Sequence, residues 1–149
     1  MKYLFICLIA AAFVSCNDTD QQANGDVNKD SLNRIAMTDT SRYTTIKWID
    51  STAQDLGSIS KGQVLEVSWR FKNTGNEPLV ISNVAAGCGC TVADKPEEPI
   101  APGKEGKISA KFDSKNQPAG TNQKSVTVIA NTKDKSAHYL TFKVDLSEK

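Results

Sequence analysis

From Thr44 onward the chain alternates between apolar and polar residues with a period of two. In the stretch VLEVSWRFK, one face carries the apolar side chains and the other carries polar and charged ones. Successive side chains of a strand point to opposite faces, so this alternation predicts a half-buried antiparallel strand. Further candidate strands are KISAKF, SVTVIA, YLTFKV, PLVISNV and TTIKWID.

Turn-forming residues separate these candidate strands. Gly75 in NTGNEP stands where glycine's access to a positive φ would be useful, and Pro102 with Gly103 is the preferred central pair of a type II turn. The sequence after residue 44 shows no helical periodicity. The pattern therefore predicts an all-β fold over residues 44–149, a β-sandwich of about seven antiparallel strands.

The first residues follow a different pattern, with one basic residue before an apolar run. Lys2 precedes apolar residues 3–14, a run shorter than the ~20 residues that cross a bilayer. This predicts a signal peptide over residues 1–15. The ending FVSC resembles a bacterial lipobox, whose cysteine, here Cys16, is lipidated and becomes the first mature residue; Phe13 replaces the usual leucine. The alternative is ordinary signal cleavage, with Cys16 incidental.

Residues 16–43 are polar and lack a sustained period, which favours a lipid-anchored flexible tether. Within this segment, DSLNRIAM could form one or two helical turns, with Asp30 or Ser31 as the N-cap. Acyl chains on Cys16 would hold the protein on a membrane. We therefore expect a location in the cell envelope, at the periplasmic or surface face of the outer membrane.

Charge and composition narrow the classes of function. The formal net charge is +1, and removing Lys2 with the signal leaves equal numbers of basic and acidic residues. No basic patch interleaved with aromatic residues is present in the sequence, so no nucleic-acid partner is expected. His138 is the only histidine, and it alternates in phase with Leu140 and Phe142, as expected for a packed side chain. Carboxylates are scattered, so the sequence predicts neither an enzyme nor a cofactor.

The stretch GCGCT contains the only cysteines left once Cys7 departs with the signal and Cys16 carries lipid. In an extended strand, the Cα atoms of Cys88 and Cys90 would lie about 6.5–7 Å apart, at the upper limit for a disulfide. Gly89 would allow the backbone to bend. Three interpretations stay open: a structural pair, reduced or bridged; a redox-labile bridge in an oxidising compartment; or a clamp for a soft metal such as copper.

Several motifs occur in one order along the chain: LGSI, FKNTGNEPLVI, CGCT, PIAPGKEGKI, FD, Lys124 and VTVIAN. In combination they resemble the bacterial family known as domain of unknown function 1573. That resemblance covers roughly residues 56–144 and implies an immunoglobulin-like fold related to the ASH and PapD-like modules. It implies no established biochemical activity.

Two hypotheses of function follow. The favoured one is a lipid-anchored, non-enzymatic immunoglobulin-like module that binds another component of the envelope, with sheet edges available to a partner strand. The other is a thiol-redox or soft-metal protein that acts through Cys88 and Cys90. The sequence does not identify a small-molecule ligand.

Overall fold

The alternating stretches form strands that pair into two four-stranded sheets in a computed structural model, which describes residues 29–148. The elements, in chain order, are α1 (Lys29–Thr38), a 3-10 turn (Thr40–Arg42), β1 (Ile46–Trp48), β2 (Ala53–Ser60), β3 (Val64–Asn73), β4 (Ile81–Ala86), β5 (Thr91–Asp94), β6 (Glu105–Asp113), β7 (Gly120–Ala130) and β8 (Ala137–Ser147).

The strand order is β1-β3-β6-β5 in one sheet and β2-β8-β7-β4 in the other. The long central pairs, β3 with β6 and β7 with β8, are antiparallel. The structure confirms the predicted β-sandwich; β2, however, runs parallel to β8, so the second sheet is antiparallel except at this edge. The edge strands are β1 and β5 in the first sheet and β2 and β4 in the second.

The part of the chain that the structure describes contains eight strands, where the sequence indicated about seven. β2 was missed because its alternation is interrupted: the register with β8 shifts between Asp55 and Ser58, and Gly57 lies at φ +69° between them. A bulge of this kind breaks the period of two on which sequence reasoning relies. β5 was missed because it has only four residues.

The core lies between the sheets and consists of the side chains that the alternation predicted to face inward. Trp69 and Phe71 of β3 are fully buried, as are Phe112 of β6 and Leu140 of β8. Phe112 and Phe142 pack edge to face, with ring centroids 5.6 Å apart. Each fully buried side chain of this size stabilises the fold by about 1.5–3 kcal/mol relative to exposure, so the inward faces hold the sandwich together.

Two glycines of the turns have different roles. Gly103 has φ +76°, which confirms the prediction of a type II turn after Pro102. Gly75 does not have a positive φ, so that prediction was wrong. Glycine is needed there for close packing instead, because a Cβ at this position would lie 2.7 Å from the backbone nitrogen of Thr45.

Helix α1 has ten residues and is longer than the one or two turns that the sequence indicated. Two hydrogen bonds tie down the segment around its end: the Tyr43 hydroxyl donates to the Met37 carbonyl (3.0 Å), and Asn131 Nδ2 donates to the Arg42 carbonyl (2.9 Å). Such tertiary support explains order in a helix too short to be stable alone. The predicted signal peptide, Cys16 and the first part of the tether lie outside the described residues.

Candidate functional site

Cys88 and Cys90 form a disulfide in the turn between β4 and β5. Their Cα atoms are 5.3 Å apart, closer than an extended strand would place them and well inside the usual range for a bridge. The backbone bends in this turn rather than continuing as a strand. Of the open interpretations, the structure therefore shows the bridged form of the pair.

Hydrogen bonds from neighbouring strands of both sheets fix the backbone around this disulfide. On one side, Gly87 N–H donates to the Ser125 carbonyl of β7 (2.9 Å). On the other, Asp113 N–H of β6 donates to the Cys90 carbonyl (3.0 Å). Glycine is also favoured at position 87, because a Cβ there would lie 2.7 Å from Ser125 Oγ. The bridge thus lies where the chain crosses from one sheet to the other.

The two sulfurs share one polar neighbour, the hydroxyl of Thr91. Thr91 Oγ1 lies 3.5 Å from Cys88 Sγ and 3.8 Å from Cys90 Sγ. Thr91 is buried, whereas both cysteines are partly buried and Cys90 packs against the core. Hydrogen bonds to an ionised group are stronger than neutral ones, so this hydroxyl is placed to stabilise either sulfur as a thiolate after reduction.

The same site offers little to a metal ion in its oxidised form. Sulfurs bonded to each other present no thiolate, which is the ligand that soft metals take. Within residues 29–148, no three or more His, Cys, Asp or Glu side chains are grouped as a metal site would require. His138 is not brought to the cysteines; it pairs with Val128 beside the turn that joins β7 and β8, and it is buried as its phase predicted.

The disulfide turn connects two edge strands that belong to different sheets. β4 is an edge of one sheet and β5 is an edge of the other, and the two strands lie in contact along the same side of the sandwich. Asn83 on β4 is exposed, and Val92 on β5 is 71% exposed. An unpaired strand edge presents backbone donors and acceptors to a partner chain, so this side of the molecule is a candidate docking surface.

Two buried asparagines were not singled out from the sequence. Asn73 continues the inward phase of β3 and is fully buried, and its side chain bonds with Thr44, Gly75, Glu77 and Ile100. That phase was the available signal, since a polar residue at an inward position needs internal partners.

Asn131 is buried in the same way, and it joins three separate segments. Its Oδ1 accepts from Val80 N–H, and its Nδ2 donates to the carbonyls of Arg42 and Pro78. This asparagine is therefore a structural link between the sandwich and the segment that leads from α1.

Within residues 29–148, no helix is long and apolar enough to cross a membrane.

Comparison with known proteins places this architecture among immunoglobulin-like modules. A protein of unknown function from Porphyromonas gingivalis W83 is similar at 18% identity and a TM-score of 0.63; the match covers 72% of this chain and 49%, about half, of that protein. The ASH/PapD-like domain 7 of human CEP192 is similar at 9% identity and a TM-score of 0.56, over 72% of this chain and 89% of that one.

A family 123 glycoside hydrolase from Clostridium perfringens is similar at 10% identity and a TM-score of 0.56, over 71% of this chain but only 28% of the hydrolase. At these identities the likenesses show a shared fold alone. No curated protein matches the chain.

The family comparison is more specific than the structural ones. The model of the family described as "Protein of unknown function (DUF1573)" matches residues 46–146, which span every strand of the sandwich. The match confirms the resemblance carried by the NTG, CGCT and PG motifs. The chain belongs to the DUF1573 family and has its immunoglobulin-like fold.

Proposed function

We propose that this protein is a lipid-anchored, non-enzymatic module of the cell envelope that binds another envelope component through the β4–β5 side of the sandwich. The observation that carries the proposal is the pair of edge strands from the two sheets, side by side and joined by a bridged turn. A partner strand added to either edge would gain backbone hydrogen bonds, and alternate side chains would supply specificity.

The sequence supports the anchored location. The apolar run before Cys16 and the FVSC ending predict signal cleavage and acylation at that cysteine. Two or three acyl chains give stable attachment where one chain would not. The polar residues that follow would separate the sandwich from the lipid headgroups. A disulfide between Cys88 and Cys90 fits an oxidising compartment outside the cytoplasm.

Site-specific photocrosslinking in intact envelopes tests the docking surface. A photoreactive residue replaces Asn83 on β4 or Val92 on β5, and a third protein carries it at Lys47, which is exposed on β1 at the opposite edge. We expect one crosslinked partner from the first two positions and none from Lys47. The Cys16→Ser protein, which cannot be acylated, should lose that product. Equal products from all three positions, or none above the Cys16→Ser control, would contradict the proposal.

The observed disulfide favours a second candidate function, thiol–disulfide exchange with a protein dithiol. One partner thiolate attacks a sulfur of the bridge and forms a mixed disulfide, releasing the other cysteine as a thiolate that takes up a proton. The second partner thiolate then displaces the remaining cysteine. Cys88 and Cys90 end as two thiols, the partner ends as a disulfide, and two electrons have moved to this protein.

Alkylation followed by intact mass measurement tests this second function. Reduced glutathione in excess should convert the folded protein to the dithiol form and itself become glutathione disulfide, and the Cys88→Ser/Cys90→Ser protein should not oxidise glutathione. A bridge that stays oxidised under these conditions while the protein is folded would exclude an exchange function and leave a structural one.

A further inference from the structure

A cavity lies away from the disulfide, beside the turn that joins β7 and β8. It has a volume of about 190 Å³, and it lies between the start of β1, the segment before β2 and that turn. At about 30 Å³ per molecule of liquid water, it has room for roughly six waters. Among its lining side chains are Trp48, Thr52, Thr132, Asp134, His138 and Tyr139.

The hydrogen bonds of Thr132 determine which nitrogen of His138 carries hydrogen. The Thr132 hydroxyl has one hydrogen, and it donates this hydrogen to the Lys135 carbonyl, which can only accept. Thr132 Oγ1 is also 2.9 Å from His138 Nε2, so in that contact the hydroxyl oxygen must accept. The hydrogen therefore lies on Nε2, and in the neutral ring Nδ1 is a bare acceptor.

This bare nitrogen is not fully enclosed by the described residues. His138 is 94% buried, being 6% exposed, yet Nδ1 has no hydrogen-bond partner within residues 29–148. Among the described residues, Trp69 Nε1 is the one side-chain nitrogen or oxygen that is fully enclosed and has no hydrogen-bond partner. Since His138 Nδ1 also has no partner, it must be accessible from outside the protein. His138 is one of the residues that line the cavity, so its Nδ1 is a candidate hydrogen-bond acceptor for a ligand there.

The ring is neutral near pH 7. Burial lowers the pKa of His138, and the nearby Lys135 lowers it further, while Asp134 acts in the opposite direction. Lys133, the other charged residue lining the cavity, is also cationic and adds no carboxylate that would favour a protonated ring. The acceptor at Nδ1 is thus present under physiological conditions.

Aromatic side chains form the other part of the cavity. Trp48 is held edge to face against Phe71 and His138, with ring centroids 5.6 Å and 5.9 Å away. Tyr139 is 65% exposed at the rim. Ligand sites combine such aromatic walls with a few fixed polar groups that set orientation. A pyranose ring has the complementary chemistry, with C–H groups on one face and hydroxyl donors around its edge.

We propose that this cavity binds one pyranose residue, with its C–H face against Trp48 and one hydroxyl donating to His138 Nδ1. The Thr52 hydroxyl and the Asp134 carboxylate lie at the same cavity and can accept from further hydroxyls. The site is separate from the β4–β5 edge, so a test of this proposal does not depend on whether a partner binds at that edge. A free sugar and a residue within an envelope glycan share this chemistry.

Titration of the purified full-length protein with defined sugars tests the site. The probes are the methyl glycosides of glucose, galactose, mannose and N-acetylglucosamine, together with chitotetraose. Trp69 is fully buried, so a saturable change in tryptophan emission reports Trp48, and amide shifts should cluster at residues 45–52 and 131–139. Binding of the methyl glycosides identifies a free sugar as sufficient, and binding of chitotetraose alone identifies a glycan. No saturable change with any probe, or shifts elsewhere, would overturn the proposal.

Variants and a direct measurement separate this site from general effects. His138→Phe removes the acceptor and should weaken binding about twofold to tenfold, whereas His138→Gln retains an acceptor and should weaken it less. Tyr139→Ala alters only an exposed rim residue, so it should fold normally and still weaken binding. Val64→Ala is the matched control and should change nothing, because Val64 is exposed on β3 and does not line the cavity.

Because His138 is the only histidine of the chain, long-range ¹H–¹⁵N spectra of the untagged protein report its tautomer without ambiguity. The spectrum should show hydrogen on Nε2, and the Nδ1 signal should shift when sugar binds. Hydrogen on Nδ1 in the free protein would contradict the proposal, even if His138→Phe failed to fold.

Discussion

Replacing Asn73 with alanine should destabilise the sandwich strongly, although the residue contributes no apolar surface. The side chain is fully buried and makes four hydrogen bonds. Its Nδ2 donates to the carbonyls of Glu77 and Ile100, each at 2.8 Å, and its Oδ1 accepts from the Thr44 hydroxyl at 2.7 Å and from Gly75 N–H at 3.1 Å. One side chain therefore joins the segment before β1, the turn after β3 and the segment before β6.

The size of the effect follows from which groups lose their partner. The Ile100 carbonyl keeps a second bond, from Leu79 N–H at 2.9 Å, so it is not orphaned. The Thr44 hydroxyl, Gly75 N–H and Glu77 carbonyl lose the partner that Asn73 gives them. Each net bond contributes about 0.5–1.5 kcal/mol, and an unsatisfied buried group costs somewhat more, so we expect the free energy of unfolding to fall by about 3–4 kcal/mol.

Urea denaturation followed by tryptophan fluorescence measures this change, since Trp69 reports the core. Asn76→Ala is the matched control, because Asn76 is an exposed asparagine of the same turn and should alter the free energy of unfolding by less than about 0.5 kcal/mol. A loss below about 1 kcal/mol for Asn73→Ala would refute the reasoning, because it would mean that these four bonds do not hold the turn.

Three further outcomes are expected. Cys88→Ser/Cys90→Ser should lower the free energy of unfolding by only about 1.5 kcal/mol in urea, because the closed loop spans three residues and restricts the unfolded chain little; a loss above about 4 kcal/mol would contradict this. Burial lowers the pKa of His138, so the unfolded chain binds more protons below about pH 6.5, and the free energy of unfolding should fall as the pH drops through that value. His138→Gln should flatten that part of the stability profile; an unchanged profile would refute the assignment. Gly75→Ala should cost about 1–3 kcal/mol through the contact with the Thr45 backbone, whereas Gly89→Ala should be neutral, because a Cβ there meets no atom within 4 Å.

The sequence predicted the long strands well because one side of each faces the core. β3, β6, β7 and β8 are nine residues or longer, and the apolar positions that their alternation placed inside are buried, with Leu65 partly buried. Edge strands carry a weaker signal. β2 pairs in parallel with β8, and a bulge at Gly57 shifts the register of this pairing. No local sequence pattern predicts either the direction or the register of such a strand.

The candidate site was predicted only in part. The sequence identified Cys88 and Cys90 as the remaining thiol chemistry, but an extended geometry left a structural pair (reduced or bridged), a redox-labile bridge and a metal clamp open. The backbone bonds of Gly87 and Cys90 that shape the turn come from β7 and β6, far away in sequence. The Thr91 hydroxyl and the cavity at His138 also depend on such long-range contacts.

The mass of the native protein, measured intact on material purified from envelopes and again after reduction and alkylation, tests the account most directly. We expect a chain that begins at Cys16, carries acyl groups there, and gains mass at Cys88 and Cys90 only after reduction. Such a result would establish both the membrane anchor and the bridged pair. A mass that retains residues 1–15, that lacks acyl groups, or that shows both cysteines alkylated without reduction would contradict the account of an anchored module with an oxidised turn.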